Sequence, residues 1–337
     1  MGVIVISIVT YAVVFLLDTG KSYDPEAEKI FHVDDVDQIQ KIFIAGRHHD
    51  PVTLERKDDH WLVNGKYEAL DYKIDLLLST IRRVRMKYPV PERQLNRALN
   101  DLRASGIKVE LYNDNMDKPF HVYYVGMHTS DYLGTYMIRE FDGEVAEWPY
   151  VTHIPGFHGF LTPRYVTQSE DWRDLTVFDY PLDEIASVKV EYPSNPSASF
   201  EIISKGNDNF KVLNHNRPEE TERPVYKTAV LEYLNNFNGV NAEAFENRLP
   251  SKDSIMMTTP AAKIAVETAS GKKNAIRIFY MPVSQRTKMP YVNGVLRDYD
   301  PDRYFAAINE EQDLVIIQDF IFGKFFRSYD EFFMSPM

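Results

Sequence analysis

The sequence predicts an α+β protein: a tandem duplication of a mainly antiparallel sheet unit with packed helices, preceded by an N-terminal transmembrane helix. Three observations predict it. Ile39, Ile42, Ile44 and Leu54 recur as Ile185, Val188, Val190 and Phe200, each 146 positions later, and an ordered recurrence marks repeated architecture. Short runs that alternate apolar and polar residues, bounded by turn residues, read as strands throughout. Val3 to Leu17 is uncharged and almost wholly apolar. The 337 residues leave room for two domains of about 150 residues each.

The apolar start is read first. As a helix, Met1 to Leu17 would span about 25 Å against a hydrocarbon core of about 30 Å, which is short for a crossing. A cleaved signal peptide needs a basic leader and small residues at the cut, and neither is clear here. A buried core helix is another reading, but this run is apolar on every face, with no polar stripe to turn outward. The expectation is therefore an uncleaved anchor over 1–21, then a polar linker over 22–35 containing Pro25. Only Lys21 and Lys29 follow closely, so flanking charge does not set the orientation.

The first unit is expected over 36–168. Ile39, Ile42 and Ile44 lead into a strand, Val52 to Arg56 alternates as a second, and Trp61 to Val63 returns as a third after Asp58-Asp59. Ile74, Leu77, Leu78, Ile81 and Val84 line one face of a helix. Pro91 starts another, carrying Leu95, Leu99 and Leu102 and stopping at Gly106. Strand-like runs follow at 107–112, 120–125, 135–139 and 150–154. A joint over 169–182 leads to a second unit over 183–332, which repeats the order. Val230, Leu234, Phe237 and Val240 answer Ile74, Leu78, Ile81 and Val84 at an offset of 156. Phe245 and Leu249 fall where the second helix is expected. Lys263 to Val266 mirrors Lys108 to Leu111 at 155, and Arg277 to Tyr280 mirrors Val122 to Val125 at the same offset. Gly323, Phe325 and Tyr329 follow Gly159, Leu161 and Tyr165 by 164. In the joint, Asp171, Trp172, Arg173 and Asp174 are the candidate contact residues, toward the other unit or a partner, because mutual orientation would be set there.

The pattern Asp37-x-Ile39-x-x-Ile42-x-Ile44, Val52 to Arg56, then Trp61-x-Val63-Asn64-Gly65-Lys66-Tyr67 resembles the domain-of-unknown-function family numbered four-three-four-zero. So do Gly106 to Glu110, Tyr124 to Gly126, Gly134 to Met137, the run Ile154 to Tyr165, and Asp171 to Asp174. The resemblance is strongest from Asp37 to Phe178, and its motifs are turn and core residues. It implies a membrane-anchored, extracytoplasmic protein of Gram-negative bacteria, held in the inner membrane with its body in the periplasm. It further implies a setting near gliding-type ABC-transporter auxiliary components. The chain departs in lacking the Lys or Arg residues that usually precede the anchor.

Composition narrows the chemistry. A formal charge of -12 argues against nucleic acid, whose phosphates need a basic face. Without cysteine there is no disulfide framework or thiolate metal site. His48-His49-Asp50 reads as a polar turn, because neighbours on a strand face opposite ways and cannot share an ion. Asp298 to Asp302 alternates carboxylates like a calcium loop but has Arg303 and Asn309 where Gly and Glu are required. Gly156 makes a sharp turn, after which Phe157, Phe160 and Leu161 are expected to insert a short helix, with His153 and His158 nearby as structural histidines. No nucleophile elbow, phosphate loop or dinucleotide fingerprint occurs. The expectation is a non-enzymatic binding or scaffold module without cofactor, docking on a protein partner in the membrane or envelope. Alternatives are a carrier or chaperone with an apolar cavity, or a hydrolase with an unrecognised site.

Overall fold

The computed structural model describes residues 30–206, 209–220 and 223–333. The expected anchor lies outside them. Among the described residues no helix is long and apolar enough to cross a membrane. The architecture is mixed α and β with antiparallel sheets, and the chain divides into two compact units between Asp174 and Leu175. That division falls inside the stretch 169–182.

The first unit carries strands β1 (Lys41–Ala45), β2 (Val52–Lys57), β3 (His60–Val63), β4 (Tyr67–Glu68), β5 (Arg85–Pro89), β6 (Ile107–Tyr112), β7 (His121–His128), β8 (Thr135–Phe141), β9 (Glu144–Val145) and β10 (Tyr150–His153). Its sheet runs β4-β3-β2-β1-β6-β7-β8-β10-β5, with β9 on β8. Two helices complete it, α1 (Asp71–Arg83) and α2 (Glu92–Ser105). Alternation along the strands decides which helix covers which face. Ile42, Ile44, Val109, Leu111, Tyr123, Val125 and Met137 share one core with Ile74, Leu77 and Ile81 of α1. Tyr136 and Ile138, one step out of phase with Met137, join Val151 on the other face under Ala98 and Leu102 of α2.

The second unit carries β11 (Thr176–Phe178), β12 (Ile185–Glu191), β13 (Phe200–Ser204), β14 (Phe210–Leu213), β15 (Val240–Asn241), β16 (Ala244–Phe245), β17 (Ala262–Thr268), β18 (Lys273–Pro282), β19 (Tyr291–Val292), β20 (Val295–Leu296), β21 (Tyr299–Ile308) and β22 (Asp313–Gln318). Its main sheet runs β14-β13-β12-β17-β18-β21-β22-β16, the order of β3-β2-β1-β6-β7-β8-β10-β5 in the first. Helix α3 (Lys227–Leu234) buries Val230, Tyr233 and Leu234 on one face, and the turn after it adds Phe237. Short helix α4 (Lys252–Met256) covers Phe279, Phe305, Leu314 and Ile316 on the other. A third, α5 (Asp319–Phe322), leads into the turn that buries Phe325.

Several expectations need correction. Phe31 and Val33 are buried in the first core, so the expected linker 22–35 contributes to the fold at its end. Ile42 pairs with Leu54 and Val188 with Ile202, so the counterpart of Leu54 is Ile202 and not Phe200. Val109 faces Tyr123 and Ile264 faces Ile276, which moves the β7 equivalence from Arg277–Tyr280 by two as well. A slip of two keeps every side chain on its face, so apolar pattern alone cannot detect it. Phe245 lies in edge strand β16, paired with Val315, and the second helix begins only at Lys252. The short helix after Gly156 is Thr162–Arg164, and of Phe157, Phe160 and Leu161 only Leu161 is fully buried.

Candidate interaction site

Residues Asp171 to Asp174 close one edge of the first sheet. Arg173 bridges antiparallel to Ala69, Leu70 N–H donates to Trp172 O at 2.7 Å, and Asp174 N–H donates to Glu68 O at 2.9 Å. Trp172 fills the first unit's own core, its indole Nε1–H donating to Val166 O at 2.9 Å. The Arg173 guanidinium is buried 3.5 Å from the Tyr67 ring centroid, where cation–π attraction helps offset lost hydration. Lys73 Nζ donates to Asp171 O. Of the four, only Asp171 is exposed. The structure thus brings them together as a strap along β4, beside α1.

Among the described residues, the same edge of the second sheet carries no such strap. β14 pairs with β13 through Glu201–Leu213 to Ser204–Phe210, and among the described residues no strand pairs its other side. A strand leaves alternate N–H and C=O groups pointing outward, and an unpaired row of them is a template for another chain. Phe210 and Leu213 are half-buried and Lys211 is exposed along it. The opposite edges are better defended. β5 has Lys87 and Pro89 in a run of five, and β16 is two residues long.

Elsewhere the polar groups satisfy one another. On the α2 face of the first sheet, Lys108 Nζ reaches Glu110 Oε1 at 2.9 Å and Glu140 Oε1 at 3.4 Å. Tyr112 and Tyr124 hydroxyls donate to the remaining oxygens of Glu110 and Glu140 at 2.5 and 2.7 Å. Burial opposes charge on Lys108, but the two carboxylates hold its ammonium well above the ordinary range; burial and Glu110 push Tyr112 up to about 12. The sheet core ends at Arg139, whose Nη1 donates to Val122 O at 2.6 Å while its Nε has no acceptor. Burial lowers Arg139 to about 10. Burial, and then the Arg139 charge, lower neighbouring His121 to about 3.

The sequence reading missed the aromatic group His128, Tyr132 and Phe160. His128 stacks on Tyr132 at 4.0 Å and lies 5.0 Å from Phe160, with Tyr132 held at φ +59°. His128 Nδ1 sits 2.8 Å from Thr129 O, which makes it the donor and leaves Nε2 the other ring nitrogen. His48 and His49 lie in bends, and among the described residues no three His, Asp or Glu side chains cluster closely enough to hold a metal. In the acidic loop, Asp300 accepts from Thr287 Oγ1 at 2.6 Å and from Asp302 N–H at 2.9 Å, which is turn chemistry. Two surface hollows, of about 450 and 840 Å³, have linings that mix polar and apolar surface about equally, with Lys189, Glu191 and Phe200 in one and Lys118, Arg139 and Phe141 in the other.

No family model matches this chain, and no curated protein matches it.

Proposed function

We propose that this chain is a non-enzymatic binding or scaffold module, held at a membrane by its apolar start with its body outside the cytoplasm. It docks by accepting an extended strand of a protein partner in the membrane or envelope. The side of β14 that no described strand pairs carries this reading, because the first unit closes the matching edge with β4 and the strap Trp172 to Asp174. The common strand order of the two units supports descent from one duplicated unit, so a difference between them at one edge points to a use for that edge. Main-chain hydrogen bonds would supply affinity, and side chains on either face of the added strand would supply specificity.

Co-purification from detergent-solubilised membranes tests the proposal. Consecutive residues of β14 direct their N–H groups to opposite sides, so one of Lys211→Pro and Val212→Pro spares the ladder to β13. The variant that keeps the native circular dichroism should lose the partner that the native protein retains. A native protein that migrates alone, or a well-folded proline variant that retains its partner fully, refutes strand acceptance.

A further inference from the structure

The two units differ at a second place. In the first, residues 129–134 join β7 to β8. In the second, residues 283–298 join β18 to β21, and they carry a separate hairpin, β19 with β20, that pairs with no other strand among the described residues. Asn293 and Gly294 form its turn with φ of +51° and +79°, the left-handed pair that a two-residue hairpin loop requires. Tyr291 faces Leu296 and Val292 faces Val295. Opposed residues share a face and successive residues alternate, so each face carries one large apolar pair. Both faces are bare: Tyr291 is 63% exposed, Leu296 55%, Val292 44%, Val295 67%, and Met289 beside them 58%. A lone two-stranded hairpin is marginal in water, and so much apolar surface on one projection marks a contact with something else.

The chemistry around it selects the contact. From Val283 to Arg297 there is no acidic residue, yet Arg286, Lys288 and Arg297 all fall there, in a chain whose formal charge is -12. Arg286 lies 3.9 Å from Glu246, a weak exposed pair, and neither Lys288 nor Arg297 has a carboxylate partner among the described residues. Asp298 is the first acid after the hairpin. Tyr280 and Tyr299 stack at 4.7 Å at the root of the projection, both about half exposed. The root is clamped by Thr287, which donates to buried Asp300 at 2.6 Å and accepts from Ser284 N–H at 3.0 Å. Along the projection the order is therefore stacked tyrosines, a basic collar, then an apolar tip. A protein groove covers one face of a hairpin, whereas a bilayer surrounds both. Aromatic and basic residues behind an apolar tip match the headgroup layer and its negative potential. The hairpin's free edges still need hydrogen-bond partners, so the tip stops at the boundary of headgroups and acyl chains.

We infer that the hairpin Met289 to Leu296 is a membrane-contacting finger that inserts shallowly into an anionic lipid surface. It acts independently of strand acceptance at β14. Because the native chain has no cysteine, a single Val295→Cys in the full chain takes an environment-sensitive fluorophore at the tip. Ala269→Cys, exposed in the turn at the opposite end of β18, serves as the control even when the apolar start holds the chain on vesicles. On vesicles of phosphatidylcholine with phosphatidylglycerol, the tip probe should shift to the blue and be quenched by shallow spin-labelled lipid, while the control stays aqueous. Removing the collar charges by Lys288→Gln with Arg297→Gln should weaken that signal about five-fold per charge in lipid titrations. A tip probe that stays aqueous on anionic vesicles overturns the inference. So does a blue shift that grows with protein concentration without lipid, which would mean a second copy covers the tip. Equal insertion into purely zwitterionic vesicles overturns the role of the collar. Partner co-purification through β14 is read separately, so either reading can fail alone.

Discussion

The two cores should fail separately, and the chain carries a reporter that tells them apart. Trp61, Trp148 and Trp172 all belong to the first unit and the second has no tryptophan, so tryptophan emission follows the first alone while far-ultraviolet circular dichroism follows both. Phe325 is fully buried in the second core, with Phe237 at 4.7 Å, Phe322 at 5.7 Å, Phe178 at 5.8 Å and Tyr233 at 6.3 Å between ring centroids. Truncating a buried phenylalanine costs about 3–5 kcal/mol, and the loss of several edge contacts places Phe325→Ala near the upper end. For a unit of this size about 4–5 kcal/mol lowers the thermal midpoint by roughly 10–20 °C. Leu161, which holds the matching position in the first unit and is also fully buried, should cost about 3–5 kcal/mol as Leu161→Ala. In guanidinium titrations, Leu161→Ala should move the tryptophan-detected midpoint. Phe325→Ala should leave that midpoint in place and split the circular dichroism curve. If Phe325→Ala shifts the tryptophan transition by the same amount as the dichroism, the units unfold as one block and the argument from separate cores is wrong.

Other residues give further checks. His121 is held near 3 when folded, against about 6.5 unfolded, so the unfolded chain gains the proton first as pH falls. The first unit should therefore lose stability from pH 6.5 toward 3, at up to about 1.4 kcal/mol per pH unit, and His121→Gln should flatten that slope in tryptophan-detected unfolding. Gly126 sits where α2 meets the sheet, and an added Cβ would lie 2.9 Å from Leu102 Cδ2 and 3.1 Å from Tyr136 O. Gly126→Ala should cost about 1–3 kcal/mol by overpacking, and calorimetry should show no loss if α2 can shift freely. Lys108→Met leaves Glu110 and Glu140 without their shared cation and should cost about 1–3 kcal/mol. Adding Glu110→Gln and Glu140→Gln should recover most of it, and a triple variant no better than the single one would argue against the network.

What the sequence disclosed, and what it hid, follows from how far each signal reaches. Strands with one buried face show alternation, so Ile42 with Ile44 and Val188 with Val190 were legible, as was the helix carrying Ile74, Leu77 and Ile81. Edge strands escaped. Arg85 to Pro89 has no fully buried residue, because an edge kept polar against unwanted pairing carries no alternation to read. β16 and α4 are too short for any period, which is why Phe245 was placed in a helix. Asn293-Gly294 between two apolar pairs is a hairpin signal that the sequence does carry. The stack of His128 on Tyr132 and Phe160 joins residues from separate loops, and no local pattern encodes it. Trp172 packs into the first unit's own core, which its polar neighbours in the sequence do not signal. That its backbone neighbours also form an edge strap depends on the position of Glu68 to Leu70 over a hundred residues earlier.

The comparison between the two units carries more functional weight than any single cluster of side chains. Packing constrains the shared ladder: Val188 and Ile202 face each other as Ile42 and Leu54 do, and altering either costs the core it serves. Packing does not constrain the places where one unit differs from the other, because the other folds without that feature. Among the described residues, β14 holds its place in the sheet without a strap such as the one at β4. The projecting hairpin is likewise dispensable, as the short connection of residues 129–134 shows. Each nevertheless changes how the protein meets its surroundings: one edge carries a strap that no described residue supplies to its counterpart, and one connection is short while its counterpart is a hairpin with apolar residues exposed on both faces. Apolar exposure and an open edge both invite aggregation, which disfavours them in a surface with no occupant. The proposals of strand acceptance and lipid contact both rest on features of the second unit, the open side of β14 among the described residues and the exposed hairpin.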